Sequence, residues 1–189
     1  MNTLNILKWA MPAMVVLAFS SCEKEDPIIP NEEELITTVQ LTLSPSGLGP
    51  DVVFEFQDLD GDGGTEPIIT VPTSLIANHT YTGSITFLSE IETPAEDITA
   101  EVNDEAEDHQ VFYQVSGGLN STLTYTDTDA NGNPVGLAIH LETGDASTGQ
   151  LTITLRHEPD KSASGVSEGD IVNAGGETDI EVTFDVSIQ

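Results

Sequence analysis

Along most of the chain, apolar and polar side chains alternate every second residue, the period of a strand with one dry and one wet face. The pattern is clearest where Ile180, Val182, Phe184, Val186 and Ile188 alternate with Glu181, Thr183, Asp185 and Ser187. The same phase turns inward Val39, Leu41 and Leu43; Val52, Phe54 and Phe56; Tyr81, Ile85 and Phe87; and Val111, Tyr113 and Val115. It does so again for Leu123 and Tyr125; Val135, Leu137, Ile139 and Leu141; and Leu151, Ile153 and Leu155. Eight such runs, separated by Gly, Asn, Asp and Pro clusters, predict an all-β fold, an antiparallel immunoglobulin-like β-sandwich of about eight strands.

Helices are scarce in this pattern, which excludes a doubly wound α/β fold. One short acidic helix is predicted, with Thr93 as N-cap, Pro94 at the first position, Ala95 to about Asn103 as its body and Glu96 completing an approximate capping box. Its acidity suggests a solvated connection across the end of the sandwich. From Lys161 to Glu177 the chain is rich in Gly and Ser without alternation and reads as a long loop before the last strand.

The first residues follow another logic. Lys8 precedes an apolar run from Trp9 to Phe19, then Ser20, Ser21 and Cys22. Charged, apolar and small regions in that order make an export signal, and the run is too short for the ~20 residues that span a bilayer. Phe19-Ser20-Ser21-Cys22 resembles a relaxed lipobox, so residues 1–21 are expected to be removed and Cys22 to be acylated. Acyl chains would then anchor the protein to a membrane, each buried CH₂ contributing about 0.8 kcal/mol. Residues 22–31 form an acidic tether, and 32–189 a single domain. The acidic Glu23-Lys24-Glu25-Asp26 after the anchor resembles the surface-export signal of Bacteroidota lipoproteins, pointing to the cell surface of the outer membrane, with its periplasmic face as the alternative.

Charge narrows the chemistry. There are 33 Asp and Glu against 4 Lys and Arg, a net charge of −29. Such a surface repels nucleic acid and attracts cations. Cys22 is the only cysteine, so once acylated it leaves no disulfide, thiol nucleophile or cysteine metal site.

Two loops carry candidate cation ligands. Asp58-Leu59-Asp60-Gly61-Asp62-Gly63-Gly64-Thr65-Glu66 places carboxylates at positions 1, 3 and 5 and glycine at 6, as in the front half of a calcium loop. Position 12 is Ile69, so an EF-hand is excluded, while a looser calcium loop closed by Glu66 or by a distant carboxylate stays open. Asp127, Asp129, Asn131 and Gly132 repeat the spacing with Ala138 at position 12; calcium and a hairpin turn built on local hydrogen bonds are the two readings. His109 and His157 share phase with inward Val111 and Leu155, which puts both at strand ends, either as core-edge side chains or as half of a zinc or copper site. No nucleophile elbow or other catalytic constellation occurs, so the chain is not expected to be an enzyme.

Several stretches in order carry a resemblance: Glu32-Glu33-Glu34-Leu35-Ile36-Thr37-Thr38-Val39, Asp58-Leu59-Asp60-Gly61-Asp62-Gly63, Pro94-Ala95-Glu96-Asp97-Ile98-Thr99, Asp108-His109-Gln110, Arg156-His157-Glu158-Pro159 and Gly175-Gly176-Glu177-Thr178-Asp179. Together they resemble a family of small Bacteroidota outer-membrane lipoproteins of unknown function, sometimes labelled type 1 periplasmic binding fold proteins. The label names a longer fold of two α/β lobes, whereas this chain is short and β-patterned; what the resemblance implies is a solute-binding role without catalytic residues. The expectation is a non-enzymatic lipoprotein that takes a cation or small solute, calcium among them, for an outer-membrane transporter. The alternative is a structural or adhesive surface module that binds another protein through an exposed apolar patch or an unprotected strand edge.

Overall fold

The computed structural model describes residues 35–61 and 64–189. The expected signal at 1–21, Cys22 and the tether at 22–31 lie outside the described residues, as does Asp62.

The strands are β1 (Thr38–Pro45), β2 (Val52–Gln57), β3 (Ile68–Thr70), β4 (Thr80–Ser89), β5 (Glu96–Asp97), β6 (His109–Ser116), β7 (Ser121–Tyr125), β8 (Ala138–Thr143), β9 (Ser147–His157) and β10 (Glu177–Ile188), with one helix, α1 (Ile98–Asp104). One sheet runs β3-β2-β1-β4-β8-β7, with β5 on the end of β4, and the other runs β10-β9-β6. Every strand pairing is antiparallel. The chain crosses to the smaller sheet at β6, returns for β7 and β8, and closes on β9 and β10.

The alternating residues meet between the sheets as the phase predicts. Val39, Leu41, Leu43, Phe54, Tyr81 and Phe87 from the larger sheet and Val111, Leu155 and Phe184 from the smaller one are fully buried. Phe54 and Phe184 pack edge to face across the gap, centroids 5.6 Å apart. Gly83 fills the inward position between Tyr81 and Ile85 because nothing larger fits: a Cβ there would stand 2.7 Å from Ile139 and 2.9 Å from Leu43.

The helix departs from its prediction. It begins at Ile98, its N-cap is Asp97 with no side-chain capping bond, and Glu96 and Asp97 are strand. Tertiary hydrogen bonds outcompete the local capping sequence: Glu96 and Asp97 pair with Ser89 and Leu88. Thr99 Oγ1 then accepts from Phe87 N–H at 2.9 Å and donates to Phe87 O at 3.1 Å, tying the first turn to β4. Ile98 and Val102 are buried, so α1 covers part of the core and is more than a solvated connection.

The predicted long loop is a compact strap over the outer face of the smaller sheet. Phe112 points out of the main core, and Val166 and Ala174 bury it completely. Backbone bonds from Asp160 N–H to Ala174 O (2.7 Å) and from Asp170 N–H to Gly165 O (2.8 Å) close the strap on itself. Gln110 Nε2 donates to Val166 O at 2.9 Å and fastens it to β6.

Candidate functional site

The two acidic loops share a spacing and differ in what their carboxylates do. In the second, Asp127 accepts from the backbone N–H groups of Gly136, Leu137 and Ala138 at 2.9, 2.7 and 3.1 Å. Those amides therefore bond to a side chain, and β8 starts at Ala138 although the alternation begins at Val135. Asp129 Oδ1 accepts from the amides of Asn131 and Asn133, both at 2.9 Å. Its Oδ2 lies 3.0 Å from Lys161 Nζ, with both side chains buried. Lys161 also donates to Ala106 O at 2.6 Å and Pro134 O at 3.1 Å, so its three protons have three acceptors.

Burial pushes the Asp129 carboxyl up, but the amide of Asn133 and the Lys161 ammonium outweigh it and hold the group below the ordinary aspartate value. The cation that this loop gathers is thus the chain's own lysine. Asn131 is exposed and supplies its backbone amide to Asp129. Of the sequence's two readings, the local hydrogen-bonded turn is the one its geometry follows. Lys161 carried no sequence signal, because a lysine in a Gly- and Ser-rich stretch reads as solvated.

In the first loop, Asp58 Oδ1 accepts from Gly61 N–H at 2.9 Å and Asp60 N–H at 3.3 Å, and Asp60 Oδ2 accepts from the amide and hydroxyl of Thr65 at 2.9 and 3.1 Å. The Thr65 bonds hold the Asp60 carboxyl below its usual range. Glu66 is exposed on the segment leading to β3. Among the described residues no group of three or more His, Cys, Asp or Glu side chains converges as metal ligands would.

His109 and His157 do come together. They are opposed across β6 and β9 and stack at 4.6 Å with planes 11° apart, both buried. A metal binds imidazole nitrogen at about 2.0–2.1 Å and close to the ring plane, and two stacked, nearly parallel planes offer it no common point. The pair therefore belongs to the core edge, where His109 Nδ1 lies 3.1 Å from Glu105 O. Two half-buried tyrosines on β6 and β7 have backbone acceptors: Tyr113 OH donates to Gly136 O at 2.7 Å and Tyr125 OH to Val111 O at 2.9 Å. Burial raises both, Tyr125 to about 12, so both stay protonated at neutral pH.

What the first loop does border is a groove of about 680 Å³ at one end of the sandwich. Leu35, Phe56, Leu59, Ile91 and Ile180 give it apolar walls, and Leu35, Leu59 and Ile91 are each more than half exposed. Asp58, Asp60, Asp179 and Glu181 line it as well, with no basic residue among them. Alternation in sequence marks faces of strands, not the meeting of four separate strand ends, so Phe56 and Ile180 read as inward core positions and only Asp58 and Asp60 carried a site signal.

Compared with family models, curated proteins and solved structures, the chain matches none.

Proposed function

We propose that this protein is a non-catalytic binding module of the cell envelope, anchored through Cys22, and that its ligand occupies the groove beside Asp58 and Asp60. The observation that carries the reading is the groove's composition: apolar walls left exposed to water beside Asp58, Asp60 and Glu181, with no basic residue in its lining. Its volume falls in the range of small-ligand sites, about 300–1,000 Å³. Exposed apolar side chains favour a ligand with an apolar body, and the acidic lining favours positive charge on it. Attachment through Cys22 follows from the apolar run Trp9 to Phe19 and the Ser20-Ser21-Cys22 junction. Capture of a solute beside an outer-membrane transporter and adhesion to a segment of another protein are the two settings such a groove suits.

Tryptamine, an apolar ring bearing an ammonium, is a suitable probe, and its fluorescence is readable because the chain after residue 21 contains no tryptophan. With Cys22→Ser and residues 1–21 omitted, tryptamine is expected to bind with a dissociation constant of about 1 mM or tighter. Indolepropionate, its acidic counterpart, is expected to bind far less, and Leu59→Lys to abolish the signal. Equal binding of the two probes, or no binding of either, would sink the reading.

A further inference from the structure

The side of the sandwich where β10 ends its sheet carries a second opening. β10 pairs with β9 along its length, and among the described residues another segment joins it only at its far end, where Leu75 lies parallel to Ile188. There Leu75 N–H donates to Ser187 O at 2.8 Å, Gln189 N–H to Leu75 O at 2.9 Å and Ala77 N–H to Gln189 O at 2.9 Å. Backbone groups of successive strand residues point to opposite sides. If Ser187 and Gln189 face Leu75, then Glu181, Thr183 and Asp185 face that same side. Among the described residues no backbone group bonds to them there.

The fold thus already adds its own chain to this edge and stops short of using all of it. At Ile180 and Glu181 the remaining edge meets the groove; at Asp185 it meets a second cleft of about 440 Å³ beside Val71 and Pro72. Its outward side chains are held in place: Thr154 Oγ1 donates to Glu181 Oε2 and Gln150 Nε2 to Asp185 Oδ1, both at 3.1 Å. A strand edge fixed in this way is ordered before any partner arrives, which lowers the cost of pairing.

We propose that an extended basic segment of a partner protein binds here by adding a strand to β10 between Glu181 and Asp185, with apolar side chains entering the groove. The proposal rests on the groove reading above and names its ligand class. Charge selects the occupant: Glu177, Asp179, Glu181 and Asp185 punctuate the strand, which has no Lys or Arg, and the chain as a whole carries −29. A second copy of this chain would set carboxylate against carboxylate, so self-pairing is disfavoured. Alternating Lys and apolar residues would satisfy both the carboxylates and the apolar walls.

The test uses the purified protein at low salt and three end-blocked octapeptides: alternating Lys-Val, alternating Glu-Val, and Lys-Val N-methylated at every other residue. Calorimetry reads affinity, and amide hydrogen exchange reads Glu181, Thr183 and Asp185. The Lys-Val peptide is expected to bind and to slow exchange at those three amides about tenfold, with the N-methylated peptide about tenfold weaker and the Glu-Val peptide silent. Thr183→Pro removes an N–H that no group among the described residues accepts, a substitution that edge strands tolerate. It should weaken the peptide about tenfold while leaving the melting temperature and tryptamine binding unchanged, whereas Thr183→Ala should keep peptide binding. Equal binding of the N-methylated peptide, or unchanged exchange at the three amides, would show charge attraction alone and overturn strand addition. If tryptamine binds and the Lys-Val peptide does not, strand addition falls and the groove reading stands; if neither binds, both fall.

Discussion

The loops at Asp58–Glu66 and Asp127–Asn133 begin from nearly the same arrangement of carboxylates and glycine, yet one borders an open groove and the other is sealed. A residue far away in sequence makes the difference. Lys161 reaches the second loop, satisfies Asp129, and draws Ala106 and Pro134 into the same knot. No such cation reaches Asp58 or Asp60 among the described residues, and both turn to the backbone of their own loop. A local acidic motif therefore specifies a turn, and its wider role is set by whichever distant group arrives.

The largest expected effect comes from breaking the sealed loop. Lys161→Ala leaves Asp129 buried without its partner and should lower unfolding free energy by about 3–5 kcal/mol in urea titrations. A loss under about 1 kcal/mol would mean that the pair is solvated. Asp127→Ala, which strands three amides, should cost about 2–3 kcal/mol in the same assay.

Acid sharpens the contrast. Because folding lowers the Asp129 pKa, the pair's stabilisation is present in full above the unfolded aspartate value, about pH 4, and fades as pH falls through the lower folded value. The wild-type urea midpoint should fall through that window more steeply than that of Asp129→Asn; parallel curves would remove Asp129 from the account. The smallest effect belongs to the open loop: Asp58→Ala is expected to shift stability by no more than about 0.5 kcal/mol while weakening tryptamine. A drop comparable with that of Lys161→Ala would make the two loops equivalent after all.

Strand faces were legible because burial between two sheets imposes a period of two on a strand with one wet face, and the inward residues from Val39 to Ile188 follow it. Partners joined by tertiary contact were not. The start of α1 depends on β4 taking Glu96 and Asp97 as a strand. The strap depends on Phe112 breaking phase, a residue whose neighbours Val111 and Tyr113 hide it in the alternation. His109 and His157 were rightly placed at strand ends, but their stacking rests on the β6–β9 register, which spacing along one strand does not reveal. Of the groove, Asp58 and Asp60 could be found in sequence; Leu35, Phe56, Ile91 and Ile180 come from four segments whose adjacency exists only after folding.

The position of β10 in the chain has a consequence for how the protein is made. Its inward residues, Val182, Phe184, Val186 and Ile188, complete a core whose other half has been laid down since Val39, and Leu75 waits for Ser187 and Gln189. The sandwich therefore closes only when β10 reaches β9, however early β1 to β4 are paired. Until Val182 to Ile188 can pair with β9, the core lacks the side chains that face Phe54 across the sheets.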